Sequence, residues 1–236
     1  MFLNARRFRW RFSNIPIIMS ILSDNQKKIL LLLSKEKIIT DNFYLSGGTA
    51  LAEFYLNHRL SEDLDFFSEK EFDPQAISAV FKKIQEDAGI KSVKYEQSFN
   101  RNLFFLELQN DFIKTEFTYF PFPRIERAGN LGDLKIDSLL DIAVNKVFTI
   151  HQNPRSRDFI DLYLVLKTKP EWSINELMKK AHIKFDNYLD PIQLSAQFVK
   201  AGILKDYPKM TTQIFEKEWQ EFFINEAKKL STSSLE

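Results

Sequence analysis

The apolar positions change their spacing several times along the chain, and each change marks an element. From Asn25 to Lys37 leucines recur at helical spacing between charged ends, which predicts a helix. Phe43–Ser46 is a short apolar run ending at Gly47–Gly48, the pattern of a buried strand and a turn. Thr49 then stands where a cap would open a helix over Ala50–Asn57. Asp63–Ser68 is a strand, with Leu64 and Phe66 on its core side. Asp73 followed by Pro74 is a helix start, and that helix runs to about Asp87. Lys91–Gln97, Asn102–Gln109 and Phe112–Phe120 are expected to be three strands, with a tight turn at Asn110–Asp111. Pro121 and Pro123 end this region.

From Asp137 the pattern becomes helical: Asp137–His151, Arg157–Leu166, Ile174–Ala181, Pro191–Lys200 and Thr211–Lys229. The expected class is α+β, a mixed sheet packed against helices and followed by a helical bundle. The expected division is an α/β unit over 19–128 and a helical unit over 129–236, with the boundary near Gly129–Gly132.

Composition narrows this picture. A chain of 236 residues with 44% apolar and 28% charged residues is ordinary for a globular protein, so disordered and fibrous classes are excluded. A net charge of +1 advertises no nucleic-acid partner by itself. Residues 1–18 hold Arg6, Arg7, Arg9 and Arg11 and no acid, so the rest of the chain is slightly acidic. That segment is expected to be either a basic N-terminal arm or a non-native extension ahead of Met19. The absence of cysteine excludes disulfides, thiolate metal sites and cysteine nucleophiles, and His58, His151 and His182 are too scattered for a typical zinc site. The apolar runs are far short of the roughly 20 residues a membrane-spanning helix needs, and no signal-peptide pattern is found. The expected location is cytoplasmic, with no membrane partner.

The chemistry concentrates at Ser46-Gly47-Gly48-Thr49 and, a short helix later, at Asp63-Leu64-Asp65. Alternate strand residues share a face, so Asp63 and Asp65 point the same way, roughly 6.5–7 Å apart along the strand. Two such carboxylates can hold one or two Mg²⁺ ions, which favour oxygen ligands. Two metals would clamp the attacking and leaving oxygens of phosphoryl transfer. The paired glycines let the backbone approach a ligand closely, and a helix opening there aims unpaired amides at an anion. Glu116 shares a face with Lys114 and Thr118. It is either a third metal ligand, a base for an incoming hydroxyl, or an exposed glutamate on a half-solvated sheet.

These residues carry a resemblance. Ser46-Gly47-Gly48-Thr49-Ala50-Leu51-Ala52 and Arg59-Leu60-Ser61-Glu62-Asp63-Leu64-Asp65-Phe66-Phe67 resemble the AbiEii/AbiGii toxin family of nucleotidyltransferases, within the polymerase-β-like superfamily. Lys114-Thr115-Glu116-Phe117 continues the likeness, with Glu where the family commonly has Asp. So do Asp141-Ile142-Ala143-Val144-Asn145-Lys146 and Arg157-Asp158-Phe159-Ile160-Asp161-Leu162, and the match spans about residues 40–166. The resemblance implies a cytoplasmic bacterial toxin of a toxin–antitoxin or abortive-infection system, with a cognate antitoxin and an RNA acceptor such as the tRNA 3′ end. It implies Mg²⁺ (or Mn²⁺) at Asp63, Asp65 and Glu116. The NTP would be held by Ser46, Gly47, Gly48, Thr49, Lys146, Arg157, Asp158 and Asp161.

The residues of the helical half leave alternatives open. Lys146 lies within an apolar stripe, where a lysine is costly unless its ammonium reaches an anion, either a triphosphate or a carboxylate such as Asp161. Arg157 and Asp161 are spaced i, i+4, as a helix ion pair would be. Asp158 and Asp161 share a face and could anchor Lys146 or a ligand hydroxyl, while Arg155 and Arg157 could meet phosphate or RNA backbone. Arg59 could do the same, or pair with Glu62. His58 and His151 are expected to be structural or surface residues. Two rival functions remain: transfer to a small hydroxylated molecule, as in antibiotic modification, and non-catalytic NTP binding on the same fold.

Overall fold

The computed structural model describes residues 20–233; the arginine-rich segment 1–18 lies outside them. Helix α1 (Asp24–Leu33) opens with Ser23 and Gln26 capping each other and buries Ile29, Leu30 and Leu33. The expected single helix to Lys37 is instead two, because the chain breaks at Ser34 and restarts as α2 (Lys37–Asn42). Strand β1 (Tyr44–Ser46) leads into the short helix α3 (Gly47–Leu51), which continues as a π turn over Ala52–Leu56. Strand β2 (Asp63–Ser68) follows, then α4 (Pro74–Ala88), with Asp73 as its cap and Gly89 in the left-handed conformation at its end. Next come β3 (Ser92–Ser98), β4 (Arg101–Glu107) and β5 (Phe112–Tyr119).

Two short strands, β6 (Asn130–Leu131) and β7 (Leu134–Ile136), were not expected; two or three residues are too few for a period to show. They extend the sheet into the segment after Gly129. The sheet has seven strands in the order β3-β4-β5-β2-β1-β7-β6. Strands β2 and β5 run parallel, placing Asp63 beside Lys114 and Asp65 beside Glu116. Strand β1 runs antiparallel to β2 and sets Ser46 beside Asp65.

One face of the sheet is the core. Leu64, Phe66, Phe104 and Phe117 are fully buried there, with Phe66 and Phe117 stacked at 4.7 Å and Phe81 of α4 packed at 5.2 Å from Phe104. The other face carries Asp63, Asp65, Lys114 and Glu116. Over its β1–β2 end lies the helical half: α5 (Leu139–Gln152), α6 (Ser156–Thr168), α7 (Ile174–Phe185), α8 (Pro191–Val199) and α9 (Glu216–Ser233). Phe120, packed on Phe67 of the sheet, meets Phe185 of α7, which stacks on Phe148 of α5, while Phe159, Phe198, Trp219 and Phe223 fill the bundle. Helix α9 starts at Glu216 rather than Thr211. The residues before it run back against the chain at His58–Leu60, where Leu60 N–H donates to Lys209 and Thr211 N–H donates to His58.

Candidate active site

Between the sheet and the helices lies a cleft of about 750 Å³, lined by the Gly47–Gly48 turn, Asp63, Asp65, Glu116, Lys146, Arg157 and Asp158. The alternation of β2 and its parallel register with β5 turn the three carboxylates to one side, as the strand period demands.

Their surroundings differ. Asp63 accepts from Lys114 Nζ at 2.7 Å. Glu116 is gripped by the Arg101 fork, Nε to Oε1 at 2.6 Å and Nη2 to Oε2 at 2.5 Å, and also accepts from the Thr118 hydroxyl at 2.9 Å. Burial, the largest single influence, would raise the Glu116 pKa, but the hydrogen bonds and charge of Arg101, with Thr118 and Lys114, together hold the carboxyl below its usual range. Asp65 has no hydrogen-bond donor among the described residues. Burial first, then the charges of Glu116 and Asp63, push its pKa up to about 7. A part-buried carboxylate without a partner, flanked by two others, is a site that a cation would relieve. Among the described residues no three His, Asp or Glu side chains already converge as a metal nest. Asp63 and Asp65 thus fit a divalent ion by donor chemistry, while Glu116 is committed to Arg101.

The turn departs from expectation in one respect. Helix α3 starts at Gly47, with Ser46 in the cap position, and Thr49 lies inside it. Ser46 makes no capping bond because its hydroxyl donates to Asp137 Oδ2 at 2.6 Å. Thr49 donates to the carbonyl of Asp63. Both side chains therefore pin the turn to its neighbours and leave only backbone amides for a ligand. Gly47 has φ +71°, and a Cβ there would run into the Asp65 carboxylate; one at Gly48 would run into the Arg59 guanidinium. Only glycine allows this packing.

The helical motifs form a second polar centre. Asp161 is fully buried and accepts from Arg59 Nε at 2.7 Å and Arg59 Nη2 at 2.9 Å, forms an ion pair with Lys146 Nζ at 2.6 Å, and lies 2.8 Å from His58 Nε2. Lys146 also reaches Asp158 at 2.8 Å, which Arg155 holds from outside at 3.0 Å. Burial opposes the charge on Asp161, yet Lys146 and Arg59 hold its pKa well below the usual range. Two expectations are corrected here. Arg59 pairs with Asp161 rather than Glu62, and Asp161 faces inward rather than pairing with Arg157. Arg157, turned into the cleft, has no carboxylate in ion-pair range among the described residues, which separates it from Lys146. His58 is structural, a buried member of this network, and His151 is buried, its pKa lowered by burial against the charge of Asp190.

Three participants escaped the sequence reading. Arg101 needs the β4–β5 pairing to be known before its reach to Glu116 is visible. Lys114 was visible on the Glu116 face, but not its bond to Asp63. Asp137 is buried with its pKa raised to about 7, because burial outweighs the Ser46 hydrogen bond; only the parallel pairing of β1 with β7 brings it to the turn.

Residues 31–231 match the family described as Nucleotidyl transferase AbiEii toxin, Type IV TA system. The chain belongs to this family. Its members are nucleotidyltransferases, and this chain is one. Two solved structures share its fold. A "putative nucleotidyltransferase from H. pylori" superposes with a TM-score of 0.57 at 19% identity, over 91% of this chain and 99% of that one. JHP933 from Helicobacter pylori gives 0.54 at 20% identity, over 90% and 96%. No curated protein matches the sequence. No helix among the described residues is long and apolar enough to cross a membrane.

Proposed function

We propose that the cleft transfers a nucleotidyl group from an NTP to an RNA hydroxyl, such as the 3′ end of a tRNA, with Mg²⁺ or Mn²⁺, and that the protein is the toxin of a pair whose antitoxin restrains it. The observation that carries this reading is the unpartnered Asp65 carboxylate, sharing a face with Asp63 and touching the Gly47–Gly48 turn. Asp63 and Asp65 would hold the metal, and Glu116 would join them as third ligand or base once Arg101 releases it. The metal, when bound, neutralises phosphate charge and polarises the phosphorus centre. The amides of Gly47, Gly48 and Thr49 meet the triphosphate, with Ser46 fixing the turn through Asp137. Arg157 offers the phosphates a guanidinium, while Lys146, Asp158 and Asp161 fix the wall from which it projects. The acceptor hydroxyl gives its proton to a carboxylate of the cleft or to solvent as its oxygen attacks the α-phosphorus, the bond to the bridging oxygen breaks, and pyrophosphate leaves with that oxygen.

The test incubates the protein with each α-labelled NTP, Mg²⁺, total RNA and a panel of small hydroxylated molecules, beside a variant carrying Asp63→Ala and Asp65→Ala. Label in an RNA band with wild type alone is expected. Equal labelling by the variant overturns the assignment of the carboxylates, and label on a small hydroxylated molecule in place of RNA overturns the acceptor.

A further inference from the structure

We propose that Arg101 and Lys114 are positioning residues that hold Glu116 and Asp63 as resting counter-ions, so that a divalent ion settles on these carboxylates together with a triphosphate rather than alone. This rests on the metal reading of Asp63 and Asp65 given above.

The argument is one of charge and occupancy. Three carboxylates share one face, and two of them already carry a cation: Lys114 on Asp63 at 2.7 Å, and the Arg101 fork across both oxygens of Glu116. With Thr118 added, both Glu116 oxygens are engaged by the protein itself. An ion arriving alone must displace those contacts and leave two cations stranded beside a third positive centre. A triphosphate changes the balance, because the released guanidinium and ammonium can turn to its oxygens. Both side chains line the same cleft as Gly47 and Gly48, and both retain solvent access, with side-chain exposures of 49% for Arg101 and 26% for Lys114, so they are placed to swing.

A purely structural role for the two pairs is the weaker account. The Lys114–Asp63 pair is partly exposed on both sides, and such bridges add little to stability, while half-exposed Arg101 reaches a buried Glu116 from the cleft. The strands they cross are already joined by continuous β2–β5 and β4–β5 pairing over a buried aromatic core.

The experiment is a Mn²⁺ titration of the full chain, read by the paramagnetic resonance of free Mn²⁺, with and without a non-transferable α,β-methylene NTP. Arg101→Gln and Lys114→Gln are compared with wild type and Asp65→Asn, with circular dichroism as the check of fold. Without nucleotide, each charge-removing variant is expected to bind Mn²⁺ about tenfold tighter than wild type, and the affinity gained on adding the analogue shrinks by a similar factor. Binding equal to or weaker than wild type overturns the proposal. If Asp65→Asn binds Mn²⁺ as wild type does, or wild type binds none even with the analogue, the metal reading itself falls. That failure is distinct, because it does not depend on Arg101 or Lys114.

Discussion

Asp65 and Asp161 are aspartates from two sequence motifs, and the fold gives them opposite treatment. Asp161 is surrounded by Arg59, His58 and Lys146, so its charge is fully answered within the protein. Asp65 faces two other carboxylates and accepts no hydrogen bond from the described residues; its pKa is pushed up to about 7. The first arrangement ties the β1–β2 segment to the helical half. The second leaves negative charge for a ligand to neutralise. Residues of one type in one family's motifs thus divide into scaffold and chemistry by whether the protein itself satisfies them.

The largest expected effect falls on the scaffold. Asp161→Ala leaves Arg59 buried with unanswered charge and takes from Lys146 one of its two carboxylates, and is predicted to cost about 3–5 kcal/mol in urea unfolding. A loss under about 1 kcal/mol would break the comparison from the scaffold side. Gly47→Ala acts on the other centre. Its Cβ has no room beside Asp65, and φ +71° is strained for alanine, so transfer is expected to fall about 100-fold through misplacement, with a stability loss of only about 1–2 kcal/mol. Steady-state kinetics beside thermal melts separate the two quantities.

The two centres also predict opposite pH behaviour. Asp65 has a folded pKa of about 7 against an ordinary 3.8, so the folded state keeps a proton that the unfolded chain has released. Its contribution to stability therefore declines as pH rises from 3.8 to about 7 and is flat above. Asp161 has a lowered folded pKa, so its contribution is present above 3.8 and is lost as pH falls through the folded value. Asp137 titrates in the same sense as Asp65, so the clean observable is the difference between wild type and Asp65→Asn. Unfolding free energies at pH 5 and pH 8, without metal, should show that the variant gains on wild type as pH rises. A constant difference would contradict the raised pKa.

The smallest effect is expected at the cleft wall. Arg157→Ala removes a guanidinium with no carboxylate partner among the described residues, so its melting temperature should not change. The NTP KM is expected to rise about tenfold.

Much of this division was legible beforehand, and the rest was hidden for stateable reasons. Strand β2 was bounded at Asp63 and Ser68 from sequence, and the common face of Asp63 and Asp65 follows from the strand period alone. The start of α4 at Asp73-Pro74 was legible because capping and proline chemistry act locally. The partners of Glu116, Asp63 and Asp161 were not, because they depend on register and tertiary packing. Arg101 is fifteen residues from Glu116, and Arg59 is 102 residues from Asp161. The start of α3 was misplaced at Thr49 because Ser46 gives its hydroxyl to Asp137, a residue brought near by a strand too short to show a pattern.

The most direct test pairs Asp65→Asn with Asp161→Asn, measuring transfer of label from α-labelled NTP and the unfolding midpoint of each. The account predicts no detectable transfer and an unchanged or higher midpoint for Asp65→Asn, against a markedly lower midpoint for Asp161→Asn. Transfer at the wild-type rate by Asp65→Asn would contradict it.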